Sequence, residues 1–212
     1  MARANSVELL SLKVYRKMCN RLEIPQLRTV WSQLGNVQLT FKDLFLSSRG
    51  VKATCCALMY EPNTENLDLS GNHIGKKECD YVVSILEQTT SICVLDLSNN
   101  ELSGISIQKL ASCLVKNATI VSLTLSGNKL TDGDAEAVAL IIAQNRSITR
   151  LYASHNEFRE EGGKVIGSAI GMYNHGHNSM ARSEVVSTTG VFEQFSNGST
   201  PYKLPIPILN SY

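Results

Sequence analysis

The chain has 212 residues, room for one domain and a tail. Its 43% hydrophobic content is enough for a real core and excludes wholesale disorder. Twenty Lys and Arg against nineteen Asp and Glu leave a formal charge of +1, so no global field draws the chain to nucleic acid or anionic lipid.

In chain order, residues 1–20 carry basic side chains and a short apolar run at 7–12 that Glu8 interrupts, with no small-residue cleavage site behind it. This is the pattern of an amphipathic helix rather than a signal peptide. Helices are expected over residues 7–22 and 26–34, with Pro25 at the first helical position of the second. No stretch approaches the roughly 18 apolar residues that span a bilayer. The six cysteines, Cys19, Cys55, Cys56, Cys79, Cys93 and Cys113, contain no CxxC pair. They read as small buried apolar residues, not as a zinc site or a secreted disulfide frame. An intracellular location is expected, in cytoplasm, cytoskeleton, cilium or nucleus. Without a secretory signal, the sequons at Asn117, Asn145 and Asn197 carry no meaning, and Asn117 is expected as an ordinary loop residue.

Beyond the N-terminal helices the chain repeats. Segments beginning at Thr64, Ile92, Ile120 and Ile148 each fit LxxLxLxxNxL, with mostly conservative replacements, and their central leucines are Leu67, Leu95, Leu123 and Leu151. Each successive pair is 28 residues apart. The stripe Cys79, Val82, Leu86 recurs as Ile107, Leu110, Leu114, then as Ala135, Val138, Ile142, and finally as Gly163, Ile166, Ile170. Offsets of three and then four residues define one face of a helix. Each unit is therefore a strand, a turn and a helix. Strands are expected near 66–70, 94–98, 122–126 and 150–153, and helices near 78–88, 106–116, 134–144 and 162–171. Asn72, Asn100, Asn128 and Asn156 sit where each strand ends. A buried amide there can satisfy backbone groups that the bend leaves unpaired. One period earlier, Leu39, Phe41 and Leu46 keep the register, but Leu44 replaces the asparagine, which marks a degenerate first repeat.

These repeats resemble the ribonuclease-inhibitor-type leucine-rich repeats, whose helical half often reads like DGDAEAVALIIAQN from Asp132. The resemblance covers about residues 39–171. It implies an α/β fold, a right-handed α/β horseshoe solenoid of parallel strands with helices on the convex side and an N-terminal helical cap. The superfamily includes nuclease inhibitors, actin-filament cappers, GTPase activators, innate sensors, ciliary and centrosomal proteins and genome-maintenance scaffolds. The expected organisation is a cap at 1–35, one degenerate and four regular repeats at 36–172, and a disordered tail at 173–212.

Side chains between the core leucines face the concave side. Asp68 and Asp96 are expected as neighbours on adjacent strands, where like charges oppose folding and suit a basic partner. The plain alternative is a solvated pair belonging to the common LDLS pattern. Arg150, Tyr152 and His155 form a basic-aromatic group at the other end, with Thr124 between. Tyr and Arg are enriched in binding hot spots, although ordinary exposure explains them as well. No catalytic constellation, cofactor loop or metal site is expected. His73 reads as a surface residue of a repeat turn, and His175 with His177 lies in the tail.

A further repeat would place its central leucine at Ser179, where no motif exists. The last repeat is therefore expected to be uncapped, with Leu151, Ile166 and Ile170 partly open and available for end-to-end contact. Three readings stay open: segments 191–195 and 204–209 fold back, another chain covers the end, or the chain is a shortened form of a longer repeat protein. The expected function is a non-enzymatic interaction module or scaffold that binds a protein partner through its concave sheet, with no direct role for nucleic acid or membrane. The alternatives are a structural component of a ciliary, axonemal, centrosomal or genome-maintenance assembly, and an inhibitor or regulator of an enzyme.

Overall fold

The computed structural model describes residues 9–176 and 184–186. Two helices, α1 (Leu10–Arg21) and α2 (Arg28–Trp31), precede five strand–helix units. The strands are β1 (Gln38–Thr40), β2 (Asn66–Asp68), β3 (Val94–Asp96), β4 (Ser122–Thr124) and β5 (Arg150–Tyr152). The helices that follow them are α3 (Ser48–Leu58), α4 (Lys76–Gln88), α5 (Ile105–Leu114), α6 (Ala135–Gln144) and α7 (Glu160–Gly176). A final strand, β6 (Glu184–Val186), completes one six-stranded parallel sheet in sequential order. This is a leucine-rich-repeat solenoid.

The register follows the 28-residue period. Leu39 faces Leu67, Leu67 faces Leu95, Leu95 faces Leu123 and Leu123 faces Leu151. All five are buried, together with Leu69, Leu97 and Leu125 from the following inward positions. From the helical side Cys79, Val82, Ile107, Leu110, Val138 and Ile166 close the same core. Each buried leucine or isoleucine contributes roughly 1.5–3 kcal/mol relative to exposure. The strands are shorter than expected, three residues each, because the chain bends towards the asparagine immediately afterwards. At the residue before the asparagine position, which is Leu44 in the first unit, the backbone turns left-handed in every unit: Asp43, Gly71, Asn99, Gly127 and His155 have φ of 51°, 67°, 52°, 67° and 54°. A side chain at Gly71 would collide with the Asp43 carboxylate of the preceding repeat.

The N-terminal pair covers the first repeat. Tyr15 and Cys19 of α1 and Val30 of α2 are buried, and the Tyr15 hydroxyl accepts the Leu27 N–H at 3.1 Å. That bond holds the stretch before α2 extended. Pro25, expected to open α2, lies in this extended stretch instead, and the helix starts three residues later. The outer edge of β1 is sealed by one side chain. Gln33 Oε1 accepts the Thr40 N–H and its Nε2 donates to the Thr40 carbonyl, both at 2.8 Å, as a neighbouring strand would.

The C-terminal end departs from expectation. Helix α7 continues to Gly176, past the expected tail boundary at 173. Strand β6 pairs in parallel with β5, Leu151 opposite Val185. The last repeat is therefore covered: Leu151 and Ile166 are 3% and 2% exposed, and Ile170 is half-buried against the core. The step from Leu151 to Val185 is 34 residues, not 28. Strand pairing needs only backbone N–H and C=O groups, so it requires no leucine motif and no fixed period. Segments 191–195 and 204–209, and His177, lie outside the described residues.

Candidate binding surface

The turn asparagines fix the strand ends from which the open face is built. Asn100 Nδ2 donates to the carbonyls of Leu69, Leu97 and Ser98, each at 3.1 Å. Its Oδ1 accepts the N–H groups of Asn72 and Ile74 at 3.0 and 2.9 Å. Asn72, Asn128 and Asn156 repeat this arrangement one period apart, each reaching a carbonyl of the preceding strand. Asn72, Asn100 and Asn128 are buried, whereas Asn156 in the last repeat is half-buried. Asn117, expected as an ordinary loop residue, belongs to a second set. Its Oδ1 accepts from Thr119 and Ile120 N–H at 3.0 and 2.9 Å. Asn145, 3% exposed, does the same for Ser147 and Ile148 and donates to the Leu114 and Asn117 carbonyls. The shared 28-residue spacing of Asn117 and Asn145 is the sequence signal for this set.

On the sheet face away from the helices, the register makes rows of side chains. Asp68, Asp96, Thr124 and Tyr152 occupy one row, and Asn66, Val94, Ser122 and Arg150 the next. Asp68, Asp96, Thr124 and Tyr152 are half-buried, and Arg150 is exposed. With strands about 4.8 Å apart, Asp68 and Tyr152 stand about 14 Å apart along the row. The two carboxylates are held locally. Asp68 Oδ1 accepts from the Ser70 N–H and hydroxyl at 2.9 and 2.7 Å, and Asp96 Oδ1 accepts the Ser98 N–H at 2.8 Å. These bonds offset part of the like-charge repulsion between neighbours.

His155 lies past the end of β5 and has no place in these register rows. It is the left-handed residue of the last turn, in the place held by Gly71 and Gly127. Beside Arg150 and Tyr152 the register instead sets Glu184 and Val186 of β6.

A second exposed file, which motif reading alone did not single out, runs along the residue after each turn asparagine, or after Leu44 in the first repeat: Phe45, His73, Glu101, Lys129 and Glu157. Phe45 is 70% exposed, and its ring centroid lies 5.9 Å from that of His73. His73 Nδ1 is 3.1 Å from Glu101 Oε1, and Lys129 Nζ is 3.6 Å from the same oxygen. The hydrogen bond from His73 and the charge of Lys129 hold the Glu101 carboxyl below its ordinary range. On the helical side, a groove of about 750 Å³ between α4 and α5 is lined by Leu86, Lys109, Cys113 and Lys116 among others. All six cysteines are free thiols, and burial pushes Cys79 up to about 12. Among the described residues no three metal-ligating side chains converge, and no helix is long and apolar enough to cross a membrane.

Two family models, both described as Leucine Rich Repeat, match residues 116–139 and 91–113. Actin-Binding Site 2 of leiomodin-1 is similar in structure at a TM-score of 0.56 and 13% identity, over 73% of this chain and 88% of that one. The C-terminal domain of tropomodulin from Caenorhabditis elegans is similar at a TM-score of 0.54 and 15% identity, over 76% and 93%. The comparison with curated proteins gave no match. At these identities the shared property is the fold, a leucine-rich-repeat solenoid.

Proposed function

We propose that the chain is a non-enzymatic interaction module whose open sheet face binds an extended segment of a protein partner. The observation that carries this reading is the polarised row Asp68–Asp96–Thr124–Tyr152 with Arg150 beside its far end. The acidic end suits a Lys or Arg of the partner. About 14 Å away, Tyr152 offers apolar area with a polar tip, and Arg150 suits a carboxylate. That one structural neighbour is an actin-binding site supports a protein as the class of ligand. The 28-residue period with a 10- to 13-residue helix in repeats two to four supports a place in the ribonuclease-inhibitor-like branch. The six free thiols support a reducing, intracellular location.

Proximity labelling in cells tests the reading and identifies the partner together. The full chain, an Asp96→Lys/Tyr152→Ala variant and a Lys77→Glu/Arg146→Glu control would each carry a biotin ligase. The expected outcome is a set of neighbours enriched with the full chain and the control but lost with the sheet-face variant. Identical neighbour sets for all three would overturn the assignment of the sheet face.

A further inference from the structure

The formal charge of +1 hides a division along the chain. Residues 1–60 hold nine Lys and Arg against three Asp and Glu, a net +6, and residues 61–212 hold eleven against sixteen, a net −5. Four of the nine lie on α1. Its inward face is Ser11, Tyr15 and Cys19, all buried, at i, i+4 and i+8. Lys13, Lys17 and Arg21 have the same spacing displaced by two residues. At about 100° per residue they lie on the diametrically opposite side, and all three are exposed. They form a straight file of cations about 12 Å long, with about 6 Å between successive charges. Beyond Leu22 the exposed Arg49 prolongs it, its Nη1 donating to the Leu22 carbonyl at 3.3 Å.

Two further features bear on this file. In the repeats, Lys109, Lys129 and Lys164 are each paired with a carboxylate, while Lys77, Lys116 and Arg146 are unpaired among the described residues but do not line up on one helix face. Among the described residues no carboxylate lies within ion-pairing distance of Lys13, Lys17 or Arg21. At the head of the same helix, Leu9 and Leu10 are 49% and 58% exposed.

We propose that the outer face of α1 is a docking surface for an acidic, helix-forming segment of a partner protein, separate from the sheet face. A helix carrying carboxylates at i, i+4 and i+8 matches the cation spacing, and an apolar residue at its end meets Leu9 and Leu10. Nucleic acid fits less well: Tyr15, the only aromatic side chain of α1, is buried and offers no stacking platform, and exposed leucines gain nothing from phosphates. A lipid surface calls for apolar side chains along the basic face, whereas Leu12, Met18 and Leu22 pack against the core.

The test uses the full chain and a fluorescent peptide of alanine and glutamate, with Glu at every fourth position and a leucine pair at one end. Binding by anisotropy is expected at about 50 mM salt and weakens steeply by about 300 mM, as exposed charges are screened. The Lys13→Glu/Lys17→Glu/Arg21→Glu variant is expected to bind at least about tenfold more weakly. Lys77→Glu/Lys116→Glu/Arg146→Glu, with the same charge change on the repeats, stays within about twofold. If charge reversal lowers the melting temperature, the Lys13→Gln/Lys17→Gln/Arg21→Gln variant provides the same comparison. Absence of peptide binding at low salt, or equal weakening by both triple variants, overturns the proposal. So does tighter binding of a single-stranded RNA 20-mer or of phosphatidylserine vesicles through the same three residues.

Discussion

Asn100 concentrates five polar contacts on one amide that is 4% exposed. Removing it leaves the Ile74 N–H and the Leu69 carbonyl without that partner in a place water does not reach. Asn100→Ala is expected to cost about 1–3 kcal/mol, the penalty for unsatisfied buried backbone groups. Asn156 makes four of the five equivalent contacts, is half-buried, and holds Leu130 N–H and the Ser154 carbonyl at longer distances, 3.3 and 3.4 Å. Solvent can replace part of what it provides, so Asn156→Ala is expected to cost about 1 kcal/mol or less. Denaturant midpoints of the two variants check this. Equal midpoints would show that burial does not grade the asparagine series.

At the scale of elements, the two ends of the sheet are closed by different means. At the β1 edge, the Gln33 amide occupies the N–H and C=O of Thr40. Those backbone groups are exposed, so water satisfies them when the amide is removed, and the loss of stability is small, about 0.5–1 kcal/mol. The larger consequence concerns association, since an open strand edge is a template for another chain. Gln33→Ala is therefore expected to leave the melting temperature nearly unchanged while raising the concentration-dependent mass seen by light scattering. An unchanged mass would mean that α2 alone blocks the edge. The helix starts are tied across repeats by carboxylates in a similar way. Asp134 accepts the Gly104 N–H ahead of α5 at 2.6 Å, and Asp132 accepts the Arg159 and Gly162 N–H groups at α7, at 2.6 and 3.0 Å. Negative groups at helix N-termini are favourable, so these two residues join α5, α6 and α7 in addition to the core.

For the whole molecule, stability in a solenoid is a sum over neighbours, and the end units have only one. Strand β6 supplies the second neighbour of β5. Ending the chain after Gly176 removes β6, opens the edge of β5 and uncovers part of Leu151. The expected outcome is a lower melting temperature, by several degrees for each kcal/mol lost, together with self-association through the open edge. A shortened chain that melts with the full one and stays monomeric would show that α6 and α7 close the last repeat unaided.

The 28-residue interval between Leu67, Leu95, Leu123 and Leu151 was enough to determine the parallel sheet, its order and its register. A periodic core leaves one way to stack identical units. The same interval placed Leu39 in line although its repeat had lost the asparagine. It likewise placed Asp68, Asp96, Thr124 and Tyr152 in one row, because register converts a period into adjacency. What lay outside the period was legible only in three dimensions. His155 shares a segment with Tyr152, but it lies past the end of β5 in a left-handed turn, outside the paired register. Gln33 and β6 work through bonds to the backbone, which any suitably placed amide or strand can make and which leave no pattern of apolar residues to read. The cation file on α1 is local in sequence, but only the packing of Ser11, Tyr15 and Cys19 against the first repeat turned it outward.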